Sequence, residues 1–225
     1  MLRHIVIKNE VLNDKFNLLT LKSNNKLDFE IGQFVLVNIG KSIKRAYSIA
    51  STPEELPFWK ILVDITPGGP GTTYLKNLKK GDIIQTTNPN GQFILSLKSN
   101  YYIFGATGCG IAPFLPMIDV LIRNKKKVHL FWGLRYEDEI TLKDILSKWE
   151  ETKKFSFEII LSQPKRNWAG KVGHISPYVL NKAKSLNTKE LKIYLSGSKE
   201  FIKESSNLLK ENKIHTNKIH FEACY

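Results

Sequence analysis

Tyr101-Tyr-Ile-Phe-Gly-Ala-Thr107-Gly-Cys-Gly-Ile-Ala-Pro113 is an apolar run that breaks at two closely spaced glycines and then meets a proline. The apolar part, Tyr101–Phe104, reads as a buried strand, the glycines as a tight turn, and Pro113 as the first turn of a helix. Strand, glycine turn and helix in that order let a backbone approach a pyrophosphate. Proline stands where the Gly-x-Gly-x-x-Gly dinucleotide fingerprint has its last glycine. A lone Gly-x-Gly is a weak signal, so the chain on either side has to decide the reading.

On the C-terminal side, apolar strands alternate with amphipathic helices. Strands are expected at 101–104, 128–132, 155–161, 192–195 and 218–222, and helices at 112–123, 140–150, 177–184 and 199–211. That alternation predicts an α/β doubly wound parallel sheet. On the N-terminal side the period is shorter. Runs at 4–8, 16–21, 33–39, 58–65, 82–86 and 92–97 are separated by turn residues and predict a small antiparallel β-barrel. One helix is expected there, starting at or near Thr72. The polar break Lys98-Ser99-Asn100 places the boundary, giving domains 1–97 and 98–225.

The 225 residues, 42% hydrophobic and 24% charged, have the composition of an ordinary globular chain with a core of useful size. Met1 to Glu10 lacks the apolar core of a signal peptide, and 101–122 is broken by Gly105, Gly108, Gly110, Pro113 and Pro116, so no membrane span and a cytoplasmic location are expected. Two cysteines, Cys109 and Cys224, are too few for a four-cysteine cluster, and no histidine lies at ligand spacing, so no metal is expected. The net charge of +13 suits an acidic partner, but its lysines are mostly scattered singly, which reads as a solvated surface rather than a nucleic-acid footprint.

Two further segments carry chemistry. Arg45-Ala-Tyr-Ser-Ile-Ala-Ser51 offers a guanidinium suited to a diphosphate, a ring suited to a flavin and hydroxyls that can meet a ring nitrogen; spacing alone fits an ordinary polar strand as well. Pro67-Gly-Gly-Pro-Gly-Thr-Thr73 is a glycine-rich turn into a helix, readable as an anion site or as a loop with Thr72 as N-cap.

In this order these segments resemble the ferredoxin–NADP reductase family and its flavodoxin and flavin reductase relatives. Arg45-Ala-Tyr-Ser with Ser51 is similar to the family's Arg-x-Tyr-Ser-x-x-Ser motif, Asn90-Gly-Gln-Phe93 to its Gly-x-Phe turn, and Thr107-Gly-Cys-Gly-Ile-Ala-Pro113 to its Thr-Gly-Thr-Gly-Ile-Ala-Pro. Trp132-Gly-Leu-Arg-Tyr136, Leu195-Ser-Gly197 and Glu222-Ala-Cys-Tyr225 fall where the family has counterparts. The resemblance implies FAD, with Tyr47 on the flavin ring, Ser48 near flavin N5, Ser51 in the same motif, and Arg45, Gly71, Thr72 and Thr73 at the pyrophosphate.

It also implies a nicotinamide nucleotide at Thr107, Gly108, Cys109, Gly110 and Pro113, with Arg135 and Lys171 as phosphate contacts. Ser196 and Glu222 would lie near the nicotinamide, and Tyr225 would cover the flavin. Hydride would pass from nicotinamide to flavin N5 and electrons on to an acidic ferredoxin or flavodoxin. Ser196 replaces the family's frequent cysteine and Gln163 the arginine of many NADP-specific members, so NADP and NAD both stay open. Alternatives are a reductase of free flavin, the reductase component of an oxygenase, and a non-catalytic subunit binding flavin or nucleic acid.

Overall fold

The computed structural model describes residues 1–24, 27–40, 43–186, 188 and 190–224. By internal contacts the chain divides into two units. One is Met1–Leu95 with Ala112–Met117; the other is Ser96–Ile111 with the chain from Ile118 onward.

The first unit holds β1 (Leu2–Val11), β2 (Phe16–Ser23), β3 (Phe34–Asn38), β4 (Lys44–Ser48), β5 (Phe58–Asp64), α1 (Pro70–Lys76) and β6 (Ile83–Thr86). The strands form one antiparallel sheet in the order β4-β3-β6-β1-β2-β5. Its two edge strands meet where Ile49 bridges Ile61 and the Ala50 N–H donates to Lys60 O at 2.8 Å, so the sheet closes on itself. Alternation drives this: in β2, Leu19 and Leu21 point into the core while Thr20 and Lys22 face outward. Val6, Val35, Val37, Trp59, Ile61 and Ile84 complete the interior.

Two expectations for this unit are corrected. Residues 92–97 are not a strand: Leu95 N–H donates to Ile31 O at 3.1 Å without a ladder forming, and Phe93 O lies where a Cβ on Gly32 would sit. The helix begins at Pro70, with Gly69 in the N-cap position. Thr72 lies inside it, its hydroxyl donating back to Gly69 O at 2.9 Å.

The second unit contains β7 (Tyr101–Thr107), α2 (Phe114–Arg123, whose start belongs to the first unit), β8 (Lys127–Leu134), α3 (Lys143–Glu150), β9 (Phe155–Leu161), β10 (Lys171–Val172), α4 (Ser176–Leu186), β11 (Leu191–Gly197), α5 (Lys199–Glu211) and β12 (Ile219–Ala223). All strand pairs are parallel, in the order β10-β9-β8-β7-β11-β12. β7 is buried from Tyr102 to Ala106 without alternation, as a central strand covered on both faces requires. Successive strands run outward from β7 on one side and then resume at β11 on the other. The carboxyl ends of β7 and β11 therefore flank the point where strand order reverses, the usual ligand crevice of such sheets. Among the described residues no helix is long and apolar enough to cross a membrane.

Candidate active site

In the first unit, β4 places Arg45 and Tyr47 opposite Val37 and Val35 of β3, with Ser48 opposite Phe34. Arg45 and Tyr47 share one face because strand side chains alternate. The chain then travels through β5 and returns at α1, where Gly71 meets both. A Cβ on Gly71 would lie 3.0 Å from Arg45 Cγ, 3.2 Å from Tyr47 Oη and 3.4 Å from Ile39 Cδ1. Glycine is what lets the α1 backbone come this close to them. Arg45 is exposed, with Nη1 donating to Lys44 O at 3.0 Å; Tyr47 and Ser48 are half-buried.

Thr72 and Thr73 follow Gly71 on the same turn, and the Thr73 N–H donates to Gly69 O at 2.9 Å. Ser51 is differently placed: it is buried, and its hydroxyl oxygen accepts the Lys60 N–H at 3.0 Å, beside the bridge that closes the sheet.

One residue outside every motif positions α1. Asn9, just past an irregularity in β1, donates from Nδ2 to Leu75 O, Lys76 O and Leu78 O at 3.0, 3.2 and 2.9 Å. Its Oδ1 accepts from Asn17 Nδ2 at 3.0 Å. These carbonyls lie in the last turn of α1 and just beyond it, so a strand residue caps the helix and holds it to the barrel. Helix-capping patterns look along the chain from the helix itself, and Asn9 is some seventy residues away.

In the second unit, Thr107 ends β7 and Gly108 turns the chain at φ +52°. Trp132 Nε1 donates to Gly108 O at 2.9 Å, and Thr107 Oγ1 accepts the Ser198 N–H at 3.1 Å. The 3-10 turn Gly108–Ile111 is packed backbone to backbone against the end of β11: a Cβ on Gly110 would lie 2.2 Å from Ser196 O and 2.9 Å from Gly197 Cα. Gly197, at φ +155°, likewise leaves 1.9 Å between such an atom and Thr107 Oγ1. Pro113 stands one residue before α2, in the segment grouped with the first unit.

Ser196 is fully buried, and β12 sets Glu222 beside it in register. Cys224 follows, its N–H donating to Gly197 O at 2.7 Å and its Sγ lying 3.7 Å from Ser196 Oγ. Thr107, Gly108, Cys109, Gly110, Ser196 and Glu222 are thus gathered at one end of the sheet. Tyr225 lies outside the described residues.

The two basic residues differ. Arg135, just past β8, is exposed, and its N–H donates to Glu139 Oε2 at 2.7 Å. Lys171 in β10 is ion-paired with Glu158 and lies 4.7 Å over the Tyr178 ring. Gln163 accepts from Tyr136 Oη at 2.8 Å.

Residues 4–94 match the oxidoreductase FAD-binding domain and residues 104–207 the oxidoreductase NAD-binding domain. The chain is 33% identical to ferredoxin–NADP reductase B of Sorangium cellulosum over 67% of this chain and 65% of that protein. It is 31% identical to NADH-cytochrome b5 reductase 1 of Scheffersomyces stipitis over 71% of this chain and 60% of that one. The chain therefore spans less than two thirds of the length of these curated relatives. Its fold matches the ferredoxin–NADP+ reductase of Neisseria gonorrhoeae, solved with bound FAD and NADP, at a TM-score of 0.85 and 21% identity over 99% of this chain and 98% of that one. The chain belongs to the ferredoxin–NADP reductase-like family.

Proposed function

We propose that this chain is an NAD(P)H-dependent flavoprotein reductase that hands electrons from a nicotinamide nucleotide, through FAD, to a small redox protein of ferredoxin or flavodoxin type. The observation that carries the reading is the meeting of Arg45 and Tyr47, both in β4, with Gly71 of α1, which the chain reaches only after β5. That group fits the cofactor: an exposed guanidinium for a diphosphate, backbone open for lack of a Cβ, and a phenol ring beside them.

Arg45 with Gly71, Thr72 and Thr73 would hold the diphosphate, and Tyr47 and Ser48 would orient the ring system. Thr107, Gly108, Cys109, Gly110 and Pro113 would receive the nucleotide, whose close approach the glycines permit. Bound FAD supplies acceptance of hydride and onward passage of electrons, while the protein supplies binding, orientation and field. Ser196 and Glu222 are the polar groups that would lie nearest the nicotinamide, Glu222 half-buried and Ser196 beneath it in the sheet.

With Lys171 engaged by Glu158, Arg135 is the cation among the proposed phosphate contacts that is left to a 2′-phosphate, and NADPH is the preferred donor on this reading. A net charge of +13 supports an acidic acceptor by steering its encounter.

Anaerobic mixing of the FAD-loaded protein with NADPH or NADH tests this. Bleaching of the flavin absorbance, faster with NADPH, is expected; no bleaching with either nucleotide overturns the reading. Flavin lost on gel filtration but turned over when added in excess would instead indicate a reductase of free flavin.

A further inference from the structure

The chain has two cysteines, Cys109 and Cys224, and the sheet brings them together from opposite ends of the second unit. β7 and β12 lie on either side of β11, so that Ser196 is in register with Ala106 on one side and Glu222 on the other. Cys109 stands two residues beyond β7 and Cys224 one beyond β12, both at the carboxyl end of the sheet. Gly110 fixes the first of them against Ser196 O, and the 2.7 Å bond from Cys224 N–H to Gly197 O fixes the second. Cys224 Sγ sits 3.7 Å from Ser196 Oγ, and Cys109 is close enough to be the strongest influence on its thiol. Both residues are half-buried and neither is in a disulfide.

We propose that Cys109 and Cys224 form a reversible intramolecular disulfide that ties the nucleotide turn to the end of β12 and weakens nicotinamide nucleotide binding. The proposal rests on the assignment of Gly108–Ile111 as the nucleotide turn. The oxidant is a low-molecular-weight disulfide of the glutathione class. The Cys224 thiolate attacks one of its sulfurs, the reagent's S–S bond breaks and one thiol leaves with a proton. The Cys109 thiolate then attacks the Cys224 sulfur of the mixed disulfide and expels the second thiol. The cysteines together lose two electrons and two protons, and the reagent gains them as two thiols.

Contact with Cys109, and then the hydrogen bond with Ser196, hold the Cys224 thiol below its ordinary pKa against the upward pull of burial and of Glu222, which suits it to attack first. Closure must bring the two sulfurs to a bond of about 2 Å. Gly110 has no slack against Ser196 O, so the turn has to shift as a piece, moving the backbone that would face the pyrophosphate.

The test treats the FAD-loaded protein with oxidised glutathione. Thiols are counted with a chromogenic reagent, linkage is read by peptide mass under non-reducing conditions, and NADPH binding is titrated before and after. The expected result is loss of both thiols within the monomer, a peptide joining Cys109 to Cys224, and binding about tenfold weaker, some 1.4 kcal/mol, restored by dithiothreitol. In Cys109→Ser the link should be absent and glutathione should stay on Cys224, with no resolving thiol to expel it. Links only between molecules, two stable glutathione adducts in the wild-type chain, or a linked pair with unaltered binding would overturn the proposal. Reduced protein that binds no nucleotide would overturn the turn assignment and the gating with it, while the thiol count would still score the linkage separately.

Discussion

Gly71 in the barrel unit and Gly110 in the α/β unit both let backbone come close to a neighbour, but the neighbours differ. An added Cβ at Gly71 would meet the Cγ of Arg45 at 3.0 Å and the hydroxyl of Tyr47 at 3.2 Å, both side-chain atoms, one of them on a long flexible arginine. At Gly110 it would meet Ser196 O at 2.2 Å, a backbone carbonyl fixed in the parallel sheet between β7 and β12. The first site is made of side chains projected from a barrel wall and can adjust. The second is made of backbone pressed on backbone and cannot, because moving Ser196 O means moving a central strand.

The sharpest way to break that contrast is Gly110→Ala. The new methyl forces the turn away from β11, a strain of about 3 kcal/mol or more by analogy with overpacked cores. NADPH binding should fall at least about 100-fold, the equivalent of 2.7 kcal/mol, while the FAD content of the purified protein stays at the wild-type level. Nucleotide titration and flavin absorbance read the two quantities separately. An alanine variant that bound nucleotide normally would show that the turn has slack the packing does not suggest.

A second test asks whether the barrel, softer at its site, is rigid at its core. His4 lies in the interior with Nε2 2.8 Å from Thr86 Oγ1 and its ring edge-on to Trp59 at 4.8 Å. Burial pushes its pKa down from 6.5 to about 4. The neutral form is thus favoured in the folded state, and the unfolded chain binds the extra proton. Stability is full above pH 6.5, falls as the pH drops from there toward 4, and levels off below; the total loss is up to about 3 kcal/mol.

His129, in the α/β unit, is also pushed down to about 4, by burial and then by Lys182, against the upward pull of Glu158. Both units therefore weaken in acid. In urea unfolding followed between pH 7 and 4.5, His4→Gln should remove the barrel's share and flatten the curve. An unchanged slope would mean that His4 does not stay neutral in the fold.

The same contrast explains what the sequence could reveal. Barrel strands announce themselves by alternation, as in Leu19, Thr20, Leu21 and Lys22, and central parallel strands by unbroken apolar runs such as Tyr102 to Ala106. Gly108 and Gly110 after β7 were legible for the same local reason. Residues 92–97 misled because an apolar stretch after a turn has strand composition whether or not a neighbour offers a ladder, and here no ladder forms. Asn9 under α1, Ser51 on Lys60 and the meeting of Cys109 with Cys224 are partnerships between distant segments, and composition and spacing carry no trace of them until the sheet order is known.

The gentlest test is Gly71→Ala. Inside α1, alanine is favoured over glycine by up to about 1 kcal/mol in helix propensity. Against this, a 3.0 Å approach to Arg45 Cγ requires that side chain to give by a few tenths of an ångström, and a solvent-facing arginine can do so by small rotations about its own bonds. The two effects nearly offset, so thermal stability should stay within about 1 kcal/mol of wild type. FAD affinity should fall by less than about tenfold, under 1.4 kcal/mol, since the guanidinium is displaced rather than removed. Equilibrium flavin titration of this variant beside Gly110→Ala compares the two glycines directly. Complete loss of FAD from Gly71→Ala would show the barrel site to be as unyielding as the nucleotide turn, because a displaced arginine could then no longer reach the diphosphate.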